Sequence, residues 1–255
     1  MDQNKADVAA KRVAVVTGGA SGIGLAVGRH LAEQGHPVAL LDRQGDEARI
    51  AAEKLQADGA SAIGLDVDVT DRSAIDAALD TVRSELGPVS IMVTSAGIEL
   101  SAPFTRITAD EWDKIISVNL TGTFHSIQAA VPDMVECGWG RIITISSSSA
   151  QSGAPDRAHY VASKGGVIAL TKALSYEFAP QGITVNTIPP SIIDTPMARN
   201  GAAAGNIDLD MLAGMTPVRR NGTPDDVAAA CAFLCSDDAG FITGQIIGVN
   251  GGWYL

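Results

Sequence analysis

The sequence predicts an α/β fold: a doubly wound, seven-stranded parallel sheet with helices on both faces. Two observations carry the prediction. Short β-branched runs alternate with longer helical patterns along the whole chain. Most of those runs are almost wholly apolar, as parallel strands covered on both faces must be. No linker, repeat or charge block divides the 255 residues, so one domain over 1–255 is expected, with a lid insertion at about 198–215.

The strand runs are residues 12–17, 37–42, 62–67, 89–94, 141–146, 183–188 and 245–249. Between them, helical patterns cover 22–35, 45–58, 71–86, 110–137, 158–179 and 224–235. Thr70-Asp71 and Thr223-Pro224-Asp225-Asp226 supply N-caps and acidic first turns. Gly35, Gly59 and Gly87-Pro88 are helix stops. The segment 198–215 is rich in Gly and Ala and breaks the rhythm between a strand and a helix; such insertions serve as mobile lids or as plain surface loops.

Composition narrows the class of partner. Hydrophobic residues make up 46% and charged residues 18%, as in a compact globular chain. A formal net charge of −11 argues against nucleic acid or an anionic membrane as the main partner. The three cysteines, Cys137, Cys231 and Cys235, form an odd set, and the polar stretch Met1–Arg12 leads into no apolar targeting segment. A cytoplasmic protein without a metal site is the expectation, with Cys231 and Cys235 as neighbouring buried thiols.

Directly after the first strand comes Thr17-Gly18-Gly19-Ala20-Ser21-Gly22-Ile23-Gly24. Gly18, Gly22 and Gly24 allow a tight turn and let backbone N–H groups and the following helix N-terminus approach a pyrophosphate. The second strand ends in Asp42, eighteen residues after Gly24. An acid there accepts hydrogen bonds from the adenosine ribose and repels a 2′-phosphate, which favours NAD over NADP. Arg43 follows and is placed to offset that repulsion or to stack on adenine.

A second constellation lies downstream. Tyr160 and Lys164 stand one helical turn apart, with Ser147 thirteen residues before the tyrosine. An ammonium ~4 Å from a phenol, at an effective dielectric of ~20, would favour the phenolate by roughly 4 kcal/mol and draw its pKa toward neutrality. Ser146, Ser148 and Ser149 flank Ser147, so the spacing alone selects the serine. His159 adjoins Tyr160 in sequence but points elsewhere on a helix, as a solvated or interface residue.

Together, the glycine loop, Asp42 and the Ser147/Tyr160/Lys164 set resemble the short-chain dehydrogenase/reductase family, over nearly the whole chain from Arg12 to Gly252. The resemblance implies a single Rossmann domain with a seven-stranded sheet and a reversible hydride transfer between a secondary alcohol or ketone and NAD(H). Tyr160 would be the general acid/base, Lys164 would tune it and hold the nicotinamide ribose, and Ser147 would bind the substrate oxygen. Asn119, in Ser-Val-Asn-Leu-Thr-Gly, matches the asparagine that holds a relay water; by itself it could equally be a kink or packing residue. Ser21 and Ile23 belong to the phosphate loop, Asp68-Val69 to the adenine contact, and Ile193 and Thr195 to the carboxamide contact. The family's usual Asn-Asn-Ala-Gly is here Thr94-Ser95-Ala96-Gly97, and its Pro-Gly is Pro190-Ser191. Substrate contacts are expected from Ser147, Gln151, Gly153, Tyr160, Ser191 and Ile192.

Two other readings share this span. A 3-oxoacyl-thioester reductase on acyl carrier protein would use NADPH, against which Asp42 counts. A noncatalytic dinucleotide-binding regulator would be expected to lack part of the catalytic set. The resemblance also implies a homotetramer or homodimer, and the apolar end Gly251–Leu255 suits burial between subunits.

Overall fold

A computed structural model describes residues 12–205 and 207–254. Six parallel strands alternate with helices. They are β1 (Val13–Thr17), β2 (Val38–Asp42), β3 (Ala62–Asp66), β4 (Val89–Thr94), β5 (Gly140–Ile145) and β6 (Ile183–Ile188). Their order in the sheet is β3-β2-β1-β4-β5-β6. The order reverses between β1 and β4, and the crevice at the carboxyl ends of those strands is where this architecture binds ligands.

The helices are α1 (Gly22–Glu33), α2 (Gly45–Ala57), α3 (Arg72–Glu85), α4 (Ala109–Ile116), α5 (Gly122–Cys137), the short α6 (Ser149–Ser152) and α7 (Ala158–Phe178). After β6 come α8 (Pro196–Ala203), α9 (Leu209–Met215) and α10 (Pro224–Leu234). The apolar strands divide their side chains between two cores. Ala14 and Val16 of β1 pack with α1 and α10, whereas Val13 and Val15 pack with α3 and α5. Period-two alternation in a strand covered on both faces explains why no polar stripe interrupts β1. The expected caps form: Asp71 accepts from the N–H groups of Ser73 (2.8 Å) and Ala74 (3.2 Å), and Thr223 and Asp226 close a reciprocal capping box. Cys231 and Cys235 are buried free thiols.

Three expectations change. The run 245–249 does not extend the sheet as a seventh strand. It meets β6 and the residues after it at the bridges Thr187–Ile246 and Pro190–Val249, with Thr187 N–H donating to Gln245 C=O (3.0 Å) and Ile247 N–H to Thr187 C=O (2.9 Å). Pro189 and Pro190 lack the N–H a continued ladder needs. The Asn186 side chain takes over part of the pairing, accepting from Gln245 N–H (3.0 Å) and donating to Ile242 C=O (2.7 Å). Secondly, the pattern over 110–137 is not one α-helix. A π-helical turn at Ser117–Thr121 separates α4 from α5. Thirdly, 198–215 is largely helical, lying in α8 and α9. No described helix is long and apolar enough to cross a membrane, and no described group of three or more His, Cys, Asp or Glu side chains could hold a metal. Residues 1–11 and Leu255, to which the sequence assigns a polar leader and an interface end, lie outside the described residues.

Candidate active site

A cleft of about 740 Å³ opens over the carboxyl ends of the strands. One end is built almost wholly from backbone. Gly18 sits at φ +69°, and a Cβ there would come 2.7 Å from the N of Ala96. A Cβ on Gly24 would overlap the carbonyl oxygen of Gly18. The loop therefore closes only with glycine at these two places. Ser21 is the N-cap of α1 but makes no side-chain cap, and the first turn of α1 holds no acid. The helix offers bare N–H groups and the positive end of its dipole, a fit for a pyrophosphate.

Asp42 stands beside that loop. One of its carboxylate oxygens accepts from Ala20 N–H (3.1 Å) and the other from Gln44 N–H (3.0 Å). Arg43 is exposed next to it. Asp68 accepts from the N–H (2.9 Å) and the hydroxyl (2.7 Å) of Thr70, and Val69 is buried against Gly122. Ser95-Ala96-Gly97 runs along the cleft floor, tied to β1 by Ser95 N–H donating to Thr17 C=O (3.2 Å). These residues, with Gly18, Ser21, Gly22, Ile23, Pro190, Ile193 and Thr195, line the cleft; Gly24 packs behind it.

The other end gathers the chemistry. Ser147, Tyr160, Lys164, Ser191 and Ile192 line it together. Ser147 follows β5 and its hydroxyl accepts from Ser149 N–H (3.2 Å), while the Ser146 hydroxyl accepts from that of Thr187 (3.0 Å). Ser147 faces the phenol closely enough to oppose the rise in its pKa described below. Lys164 is buried, and its Nζ donates to the carbonyl of Ile145 (2.9 Å), 6.0 Å from the Tyr160 ring centroid.

The expected lowering of the Tyr160 pKa does not occur. Although part of its surface stays open to the cleft, burial pushes the phenol up to about 12, and the Glu99 carboxylate adds to the rise. Burial meanwhile brings Lys164 down to about 8. A cation ~4 Å from a solvated phenol would favour the phenolate; here desolvation outweighs a cation turned toward a carbonyl.

Asn119 lies in the π turn, fully buried beneath the cleft rather than lining it. Its amide accepts from Ile98 N–H (2.8 Å) and donates to Ile98 C=O (3.0 Å) and the Ser163 hydroxyl (3.1 Å). The side chain clamps the loop after Gly97 to α7. It stands near Lys164, for a Cβ on Gly97 would lie 3.3 Å from the Asn119 oxygen and 3.4 Å from the Lys164 nitrogen.

Gln151 and Gly153 do not line the cleft. The turn at α6 carries them past it, leaving Gly153 exposed. Ser191 does line it, but its hydroxyl donates away, to Asn250 C=O (3.0 Å). His159 is neither solvated nor in the cleft: it is fully buried, and neither ring nitrogen has a hydrogen-bond partner. Sequence reasoning missed Glu99, Arg157 and Val118 in the wall, and within 198–215 it named no individual residue; among the described residues there, Ala198, Asn200, Gly201 and Ile207 reach the cleft, beside Met197. Glu99 and Arg157 carried a signal only as charges close to the Ala96-Gly97 and Tyr160 motifs.

The chain is similar to known proteins along nearly its whole length. Residues 18–254 match the family model described as Enoyl-(Acyl carrier protein) reductase. The acetoacetyl-CoA reductase of Rhizobium meliloti (strain 1021) is 41% identical, over 96% of this chain and 99% of that protein. The 3-oxoacyl-[acyl-carrier-protein] reductase FabG of Staphylococcus aureus (strain Mu50 / ATCC 700699) is 38% identical, over 95% of this chain and 98% of that one. The crystal structure of gox2181 superposes with a TM-score of 0.90 at 37% identity, covering 95% of each chain.

Proposed function

Because the chain belongs to the short-chain dehydrogenase/reductase family of oxidoreductases, we propose that it interconverts a secondary alcohol and a ketone with NAD(H). The observation that carries the reading is the convergence of Ser147, Tyr160 and Lys164 at one end of a cleft whose other end is a glycine loop closed by Asp42. A bound nicotinamide dinucleotide would supply the hydride acceptor or donor. Gly18, Gly22 and the N–H groups of α1 would hold its pyrophosphate, Asp42 its adenosine ribose, and Ile193 and Thr195 its carboxamide. Tyr160 gives a proton to the substrate oxygen in reduction and takes it in oxidation, Ser147 donates a hydrogen bond to that oxygen, and Lys164 holds the ribose. Asn119 keeps the loop after Gly97 in register with α7, the helix that carries Tyr160 and Lys164. A phenol held at about 12 is protonated at neutral pH, which suits reduction.

NAD(H) is preferred over NADP(H) because Asp42 would face a 2′-phosphate while fixed by two backbone donors. The substrate wall is mostly apolar, with Ile192, Met197 and Ile207 beside the small Gly201. We place a lid function on α8 and α9 within a single catalytic domain. The names of the relatives favour a second reading of the substrate, a 3-oxoacyl thioester ketone. In that reading NADPH would be the reductant, and the two readings part at Asp42. A homodimer or homotetramer in the cytoplasm completes the proposal; the outward Tyr176, 90% exposed, and the fully exposed Phe241 suit a subunit contact.

The test is a turnover screen over 3-oxoacyl thioesters, ketones and secondary alcohols with both dinucleotides. We expect kcat/KM at least about tenfold higher with NAD(H). A clear NADP(H) preference would overturn the reading of Asp42, and dinucleotide binding with no turnover would favour a regulatory protein. Tyr160→Phe should lower kcat by about 10²–10⁴-fold while dinucleotide binding persists; full activity in that variant removes Tyr160 from the mechanism.

A further inference from the structure

The substrate end of the cleft holds an ion pair that the proposed chemistry does not use. Glu99 follows Gly97 by two residues on the loop after β4, and Arg157 is the N-cap of α7, three residues before Tyr160. Arg157 Nη1 lies 2.9 Å from Glu99 Oε1, with the side chains 23% and 26% exposed, and both residues line the cleft. A second link joins the same two segments, Ala102 N–H donating to Asp156 C=O at 2.8 Å. Asp156 sits at φ +58°, a left-handed conformation that a non-glycine residue keeps where its neighbours hold it. The carbonyl of Arg157 then accepts from Val161 N–H (2.8 Å) and opens the helix that carries Tyr160.

The two charges act on the phenol in opposite senses. The Glu99 carboxylate disfavours the phenolate and the Arg157 guanidinium favours it; Glu99 also favours the charged form of Lys164. Lys164 is the other ionisable group at this end, on the same helix as Tyr160. The remaining charged residues of the cleft, Asp42, Arg43 and Asp68, lie at the glycine-loop end. Ser147, from the loop after β5, is the neutral hydroxyl facing the phenol.

We propose that Glu99 and Arg157 are positioning residues for Tyr160: they fasten the first turn of α7 to the loop after β4, and the balance of their opposed charges keeps the phenol's proton transfer within its pH range. The proposal rests on Tyr160 being the proton-transfer group.

The test is the pH profile of kcat/KM in the oxidative direction, with NAD and the best alcohol from the screen. Below the pKa of the base kcat/KM rises with pH, and a change in that pKa displaces the rising limb along the pH axis. Glu99→Gln removes the charge that opposes the phenolate, so the limb should move to lower pH. Arg157→Gln removes the charge that favours it, so the limb should move to higher pH. Each shift should be about half to one pH unit, and the double variant should return to within about 0.3 unit of the parent. A pair that merely braced the fold would lower Tm or kcat without moving the limbs in opposite directions. Limbs that stay in place, or move in the same direction, overturn the proposal. If a glutamine variant does not fold, Glu99→Asp and Arg157→Lys decide it: charge is kept, so the limb should stay within about 0.3 unit, and a larger move is fatal to the idea. Failure of the Tyr160 reading is separate, because it would appear as activity in Tyr160→Phe.

Discussion

At its glycine-loop end the cleft is walled by main chain, and at its substrate end by side chains from segments far apart in sequence. Gly18, Gly24 and the N-terminus of α1 are fixed by contacts between backbone atoms. The substrate end draws Glu99 from one loop, Arg157 from the start of α7, Ile192 from the segment after β6, and Met197 and Ile207 from the insertion. Backbone contacts tolerate little. A wall of side chains can be refitted one residue at a time, which is how one scaffold serves many substrates.

Two glycine substitutions put the largest expected contrast on this difference. In Gly24→Ala the new methyl group overlaps the Gly18 carbonyl, backbone against backbone, so the loop or α1 must move. Dinucleotide affinity should fall by more than about a hundredfold, read by fluorescence titration with circular dichroism to check the fold. Gly153→Ala places its methyl group in open space, at φ +77°, beside the substrate end but outside the cleft. It should cost about 1–3 kcal/mol of stability through backbone strain, a Tm loss of several degrees, with KM for dinucleotide unchanged. Equal effects from the two would erase the distinction.

The same difference governs what was legible in the sequence. The glycine loop and the caps of α3 and α10 are local backbone requirements, and each shows in the residues that meet it. Six strands were readable because most of them are almost wholly apolar, as strands covered on both faces must be. The seventh was misread because its own residues look like a strand. What limits it is the Pro189-Pro190 pair on the neighbouring segment, a signal available but not local. The π turn at 117–121 leaves no mark on the apolar pattern, yet it lies where Asn119 reaches Ile98. Glu99 and Arg157 are 58 positions apart, and only the fold makes them a pair. The height of the Tyr160 pKa was illegible for a further reason: desolvation depends on everything packed around the group, not on the spacing of two residues.

A smaller effect tests the glycine-loop end where a side chain, rather than the main chain, makes the selection. Asp42 is held by Ala20 and Gln44, so its charge cannot swing away from a 2′-phosphate. Asp42→Ala should raise kcat/KM with NADP relative to NAD by about 10- to 100-fold, since like charges placed together cost several kcal/mol, part of which water and Arg43 already screen. The substitution also removes the acceptor for two backbone N–H groups, so some loss of NAD affinity should accompany it. Measured on both dinucleotides, the ratio separates the two contributions: a general loosening of the loop lowers both values, whereas removal of repulsion lifts NADP alone. An unchanged ratio would mean that the main chain selects the cofactor at this end and that the carboxylate only braces the turn.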